Sequence, residues 1–416
     1  MVWTKGCERE IQTKRRSKIR LIIVRKIIFR IFLKPLFVLI FSNYYFDLGK
    51  KITFVKIFTF DFLKWIVKYK LKIAPFMHTE EVFILAIESS CDDTAAAVLK
   101  NNRVLSNIVA RQSIHEDYGG VVPELASRAH QQNIVPVIDI ALKKAAVTKK
   151  QLSAIAFTQG PGLMGSLLVG ASFAKSLAYA LNIPLIAVNH MHAHILAHFI
   201  DEVGYEKPNF PFLALTISGG HTQIVKVNDF FDMKIIGETT DDAVGEAFDK
   251  IAKILGFPYP GGPLIDKYAK EGNPNKFTFT KPKIPNLDFS FSGLKTQILY
   301  FIQKKTKENP NFIEENKSDI CASVQNVIIE ILMDKLKLAV NETGINQIAI
   351  GGGVSANSGI RVTLKAAEKK YGWKTFVPKF EYTTDNAAMI GIVGYQKYLH
   401  DKFSDVHITA KARIEF

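Results

Sequence analysis

From residue 82 onward the sequence predicts an α/β protein of two lobes, built from a duplicated module, with a ligand cleft between the lobes. Three observations carry this. Strand-like and helix-like segments alternate along the chain. A strand, polar turn, strand module occurs twice, about 130 residues apart. Three glycine-rich loops interrupt the alternation at 160–165, 218–221 and 348–357.

Taken in order, residues 82–88 (VFILAIE) read as a buried strand, 89–94 as a polar turn and 95–100 (AAAVLK) as a returning strand. Apolar positions recurring every three or four residues predict a helix over 122–144. A short strand at 153–158 leads into the tight turn 160–165. A helix over 166–181 follows and ends before Pro184. The module then repeats, with a strand at 212–217, the turn SGGH at 218–221 and a strand at 222–227. The third loop, IAIGGGVSAN at 348–357, again follows a strand and precedes a helix. There, backbone N–H groups and a helix N-terminus can receive phosphate. The expected division is a leader at 1–76, one lobe at 77–210 and a second at 211–416.

Composition bounds the function. The chain of 416 residues carries 54 Lys and Arg against 39 Asp and Glu, a formal charge of +15. Residues 1–76 hold 18 of these basic residues against four acidic ones, a net of +14, so the remainder is near neutral at +1. The basic charge is therefore no nucleic-acid footprint for the body. Cys7, Cys91 and Cys321 exclude a disulfide scaffold and form no paired zinc spacing, which favours a reducing compartment.

The leader contains 12 Ile, 12 Lys and 10 Phe but two Gly and one Ala. Its longest near-apolar run, 35–46, is too short to span a bilayer, so stable membrane insertion is not expected. Two readings stay open. Such a composition is what A+T-rich upstream DNA would encode, with translation starting at Met77. Alternatively, the leader is a targeting or membrane-surface segment.

The sharpest chemical signal is the run 190–194 (HMHAH), followed by His198. On a helix, His190 and His194, or His194 and His198, share a face and can bind one metal. Two imidazoles leave the ion undersatisfied, so a carboxylate from elsewhere is required. Zincins place a Glu beside the first His as general base, whereas Met191 stands there, so a peptidase would lack its base. Asp249 and Asp266 flank the glycine stretch 259–263 and suit ribose hydroxyls.

These strings resemble one family closely. Residues 87–94 (IESSCDDT), 117–128, 160–163 (GPGL), 190–194, 218–222 (SGGHT), 241–249, 259–262 (YPGG), 289–296, 351–357 (GGGVSAN) and 384–386 (TDN) are similar to the TsaD (Gcp) family, tRNA N6-adenosine threonylcarbamoyltransferases once called O-sialoglycoprotein endopeptidases. The resemblance runs from about residue 84 to about residue 391 in unbroken motif order. It implies the actin, sugar-kinase and Hsp70 type of fold. It also implies transfer of a threonylcarbamoyl group from threonylcarbamoyl-adenylate to N6 of adenosine 37 in tRNAs reading ANN codons, with AMP leaving.

Carried residue by residue, the resemblance implies His190, His194 and Asp385 as ligands of one divalent metal per subunit, with Fe(II) favoured over Zn(II). It implies Thr216, Ile217, Ser218, Gly219, Gly220, Asp249, Gly262, Asp266 and Asn357 around the adenylate. No general base is assigned, and Glu88 and Asp92 are the candidates. Implied partners are tRNA, a paralogue of the same fold (TsaB-like) and a small ATPase (TsaE-like). The expected compartment is the cytoplasm, or an organelle if the leader is a targeting segment. Three rival readings are a metallopeptidase, a small-molecule carbamoyltransferase and a scaffold paralogue. They meet, respectively, the missing Glu, the absence of room for a carbamoyl-adenylate-forming domain, and the presence of all three metal-ligating residues.

Overall fold

The computed structural model describes residues 81–414 and Phe416. The leader 1–76 and Met77 lie outside these residues.

Strand β1 (Phe83–Glu88) is buried at every position after Phe83, because its sequence FILAIE is apolar on both faces and helices cover both. It pairs antiparallel with β2 (Thr94–Lys100), from Phe83 opposite Lys100 to Glu88 opposite Ala95. Strand β3 (Arg103–Ala110) extends that edge. On the other side β4 (Ala154–Gly160) and β5 (Leu185–Asn189) run parallel to β1, giving the order β3-β2-β1-β4-β5. Parallel neighbours need crossovers, and helices α1 (Pro123–Lys144) and α2 (Met164–Leu181) supply them. Pro123 opens α1, where its missing N–H costs nothing. Asn182 closes α2 in the left-handed conformation. By length and composition alone α2 could cross a membrane, but here it packs on β4 and α1.

The second sheet repeats the first. Strands β6 (Phe212–Ile217), β7 (Thr222–Val227), β8 (Met233–Glu238), β9 (Gln347–Gly351) and β10 (Lys374–Phe376) lie in the order β8-β7-β6-β9-β10. The first pair is antiparallel and the last two joins are parallel, as in the first sheet. The duplicated module thus extends to whole five-stranded sheets, and the alternating strands β3 and β8 complete each copy. Helices α4 (Val244–Ile254), α5 (Gly262–Ala269), α6 (Ser292–Glu308), α7 (Phe312–Thr343) and α8 (Ser358–Tyr371) accompany the second sheet. Val244, Ala247, Phe248 and Ile251 on α4 recur at helical spacing and are buried with Phe289, Phe291 and Leu332. Each large apolar side chain buried here contributes about 1.5–3 kcal/mol.

The last helix, α9 (Ala387–Leu399), packs on β1, β2 and β4 of the first sheet although it falls in the half 211–416. Two glycines permit the approach: a Cβ on Gly391 would lie 2.2 Å from Leu99 Cδ1, and one on Gly394 would lie 2.6 Å from Ala156 Cβ. A cut at residue 210 therefore does not follow the layers of the molecule.

Candidate metal centre and cleft

Strand β5 delivers the chain to α3 (His190–Leu196), whose first turn Asn189 caps by accepting from the N–H groups of Met191 and His192. This cap sets His190 and His194 on one face. Asp385, just before α9, meets them. The ligand atoms of the three lie within 4.8 Å of one another, the one such trio among the described residues. His190 Nε2 and His194 Nε2 are 3.1 Å apart. Asp385 Oδ1 is 3.2 Å from His194 Nε2 and 3.4 Å from His190 Nε2. Such separations are the edges of a coordination polyhedron with metal–ligand bonds of about 2.0–2.2 Å. Two imidazole nitrogens facing each other cannot both act as acceptors without a cation between them. The donor set fits a divalent metal.

Behind His190 sits Glu88, wholly buried, with Oε2 3.1 Å from His190 Nδ1. A carboxylate there accepts from Nδ1–H, which fixes the proton on that nitrogen and leaves the Nε2 lone pair free for a metal. Glu88 also accepts from the N–H of Ser90 and the hydroxyl of Thr158. Burial pushes its carboxyl up, but the positive charge of His190 outweighs it and holds Glu88 below its usual range. Burial likewise opposes ionisation of Asp385, yet His190 and His194 hold it well below. The reverse effect lifts His190: burial disfavours its charge, and Glu88 and Asp385 overrule that. The corner is two carboxylates set around an imidazole whose positive charge they favour.

The far end of α3 is fixed to the second sheet. His198 Nε2 donates to the carbonyl of Ile350 on β9 at 2.9 Å, and burial keeps this imidazole neutral, with its pKa near 4. His198 is thus a structural donor and not an alternative metal partner for His194. His192 points away from the trio, as helix geometry requires, and its ring lies 4.7 Å from that of Phe416. Gly351 touches the backbone of α3; a Cβ there would be 2.7 Å from the His194 carbonyl oxygen.

His190 and Asp385 line a cavity of about 1070 Å³ together with Ser218, Gly219, Gly220 and Asp249. The glycine loop and the metal corner therefore share one cleft. Thr216 and Ile217 are buried in β6 and only lead into the loop. Asp249 Oδ1 accepts from the N–H groups of Gly261 and Gly262, each at 2.9 Å; burial raises its pKa and those bonds oppose the rise. Asp266 accepts from the N–H and hydroxyl of Ser358, capping α8. Asn357 caps the same helix through Ile360 N–H and donates to Gln325. The structure gives Asp266, Asn357 and Gly262 these internal partners, and they do not line the cavity.

Neither candidate base lines the cavity either: Glu88 is sealed behind His190, and the turn presents Asp93 instead of Asp92. Burial, reinforced by the charge of Asp92, raises the Asp93 carboxyl to about 7. Sequence reasoning passed over Asp93, because in a run of two aspartates nothing local says which side chain faces the cleft. Tyr259, Lys253 and the loop through Gly119 and Gly120 also line it.

The model of the family described as "TsaD: tRNA N6-adenosine threonylcarbamoyltransferase" matches residues 103–392. A protein of Christiangramia forsetii named tRNA N6-adenosine threonylcarbamoyltransferase is 72% identical over 340 residues, 82% of this chain and 100% of that protein. One of Riemerella anatipestifer with the same name is 60% identical, over 81% of this chain and 98% of that one. Among solved structures, full-length HypF in its phosphate- and nucleotide-bound form is similar in fold, with a TM-score of 0.53 at 14% identity, over 78% of this chain and 47% of that one.

Proposed function

We infer the activity from one premise: the chain belongs to the TsaD family of tRNA N6-adenosine threonylcarbamoyltransferases, with the actin, sugar-kinase and Hsp70 type of fold. It is a transferase that moves the threonylcarbamoyl group of threonylcarbamoyl-adenylate to N6 of adenosine 37 in tRNAs reading ANN codons, giving t6A and AMP. The observation that supports this best is the convergence of His190, His194 and Asp385, two of which, His190 and Asp385, line the cavity that also carries Ser218, Gly219 and Gly220. The residue after His190 is Met191, where a zincin carries its glutamate base, and Glu88 is sealed behind His190 away from the cavity.

In the transfer, N6 attacks the carbamoyl carbon, the bond from that carbon to the phosphate oxygen breaks with its electron pair going to AMP, and N6 loses a proton. A divalent metal on His190, His194 and Asp385, Fe(II) in preference to Zn(II), supplies Lewis acidity and a template. The chain does the rest. Backbone N–H groups of Gly219 and Gly220 receive the phosphate, beside a Ser218 whose own N–H is held by the His221 carbonyl. Asp249 holds the loop at Gly261 and Gly262 in place and faces the ribose. Asp266 and Asn357 act one layer back, by fixing the N-terminus of α8. Asp93 holds the proton released from N6, since a carboxyl near neutral pKa can take and return it. AMP is a good leaving group, so alignment of N6 with the carbonyl governs the rate more than base strength does.

The near-neutral body gives weak tRNA affinity by itself, so a paralogue of the same fold and a small ATPase complete the tRNA surface. Cytoplasm is the compartment that fits this substrate.

The test is direct. The full chain loaded with Fe(II), unmodified tRNA, threonylcarbamoyl-adenylate and the two partner proteins should yield t6A at position 37 and one AMP per t6A, read by nucleoside mass spectrometry. A chelator should stop it. No t6A, or cleavage of a peptide in its place, refutes the reading.

A further inference from the structure

We propose that residues 404–414, with Phe416, are a strap that positions two walls of the transfer cleft, the loop at Pro161–Leu163 and the histidine-bearing helix α3. The proposal rests on the functional reading above.

The segment first docks on the edge of β5, where Ser404 N–H donates to Leu185 at 2.8 Å and Ser404 Oγ accepts from Ala187 N–H at 2.9 Å. It then reaches the end of β4. Gln159 Nε2 donates to the Thr409 carbonyl at 3.0 Å, and Lys411 N–H donates to the Gln159 carbonyl at 2.8 Å. Gly162 N–H, inside the cleft wall, donates to the Ala412 carbonyl at 3.1 Å. Contact is close enough to dictate the residue at 160. A Cβ there would lie 1.9 Å from the Lys411 carbonyl oxygen, and its φ of +152° is one that glycine accepts readily. Ala410 is buried among the apolar side chains under α1 and α2.

What the strap holds is the wall itself. Pro161, Gly162 and Leu163 line the cavity, and Leu163 N–H donates to the Ser90 carbonyl at 2.7 Å, in the turn directly after Glu88. The strap thus braces the loop from outside while Ser90 braces it from inside. Phe416 completes the arrangement by placing its ring edge-on to His192, between the two metal-ligating histidines in sequence. These contacts cover no part of the cavity, so their effect is on position: they keep the wall near the adenylate and fix the turn of α3.

Two variants of the full complex test it: a chain ending after Ala410, and Lys411→Pro, which deletes one N–H donor at an exposed position. The expected result is a melting temperature that still reports a folded chain, a KM for threonylcarbamoyl-adenylate raised about tenfold by truncation and about threefold by Lys411→Pro, and a KM for tRNA within about twofold of the parent. The Gly162 amide should also exchange with solvent faster. Phe416→Ala should weaken Zn(II) binding, read by chelator competition without turnover, by about threefold. Unchanged adenylate KM in Lys411→Pro, or equal rises in both KM values, overturns the positioning of the loop, whether or not the truncated chain folds. Unchanged Zn(II) affinity in Phe416→Ala overturns the positioning of α3. If the parent makes no t6A, the functional reading fails. The strap is then still read by AMP titration, which should show weaker binding in Lys411→Pro than in the parent.

Discussion

The two sides of the cleft are built by opposite means. On the metal side, side chains do the work: His190, His194 and Asp385 converge, and Glu88 and the cap Asn189 hold them. On the nucleotide side, the backbone of Gly219 and Gly220 faces the cavity beside Ser218. There the polar side chains Asp249, Asp266 and Asn357 accept from nearby N–H groups. The difference follows from the ligands. A cation needs lone pairs in a fixed polyhedron, which imidazole and carboxylate provide. A phosphate needs N–H donors, which any residue supplies if its loop is held still. Substitutions on the first side should therefore cost metal, and those on the second should cost alignment.

The largest effect should come from Glu88→Gln. A glutamine amide can face Nδ1 of His190 as a donor, moving the proton to Nε2 and blocking the lone pair the metal needs. Metal affinity should fall about 10–100-fold, measured by chelator competition, with the fold retained because Gln keeps an oxygen for the Ser90 N–H while the Thr158 hydroxyl can turn to accept from the amide. Unaltered affinity would erase the contrast between the two sides. Asp249→Ala sharpens it from the other direction. With two backbone donors released, the KM for the adenylate should rise about tenfold while the metal content stays constant.

The smallest effect concerns Asp93. Its carboxyl is raised to about 7 in the folded chain, so it is neutral below that pH and charged above it. A raised carboxyl contributes stability at low pH that is lost as pH rises, here between about 4 and 7. The adenylate is anionic and does not titrate in this window. Its KM should therefore rise about threefold from pH 6 to pH 8 as Asp93 ionises, and Asp93→Asn should flatten the profile. A profile that Asp93→Asn leaves unchanged would move the proton-holding role elsewhere.

Much of this architecture was legible in the sequence, because burial on both faces writes itself as unbroken apolar runs. The reading of 212–217 and 222–227 as strands matches β6 and β7 residue for residue, and 82–88 overshoots β1 by one. The metal trio was half legible: helical spacing pairs His190 with His194, whereas Asp385 lies 191 residues from His194 and only the resemblance pointed to it. What stayed hidden depended on the third dimension. The return of α9 to the first sheet, the choice of Asp93 over Asp92, and the capping of α8 by Asp266 leave no periodic trace, because each is settled by a neighbour distant in sequence.

The bond from His198 to Ile350, with Gly351 pressed against the carbonyl of His194, has a mechanical consequence. Helix α3 starts at the end of one sheet, and the turn that follows it is fastened to an inner strand of the other, so it acts as an axle shared by both. Spreading the sheets at that point would shear the turn that carries His194. Rotation about the axle leaves it intact, and an ion held there would stay nearly still while the outer rims of the cleft swing.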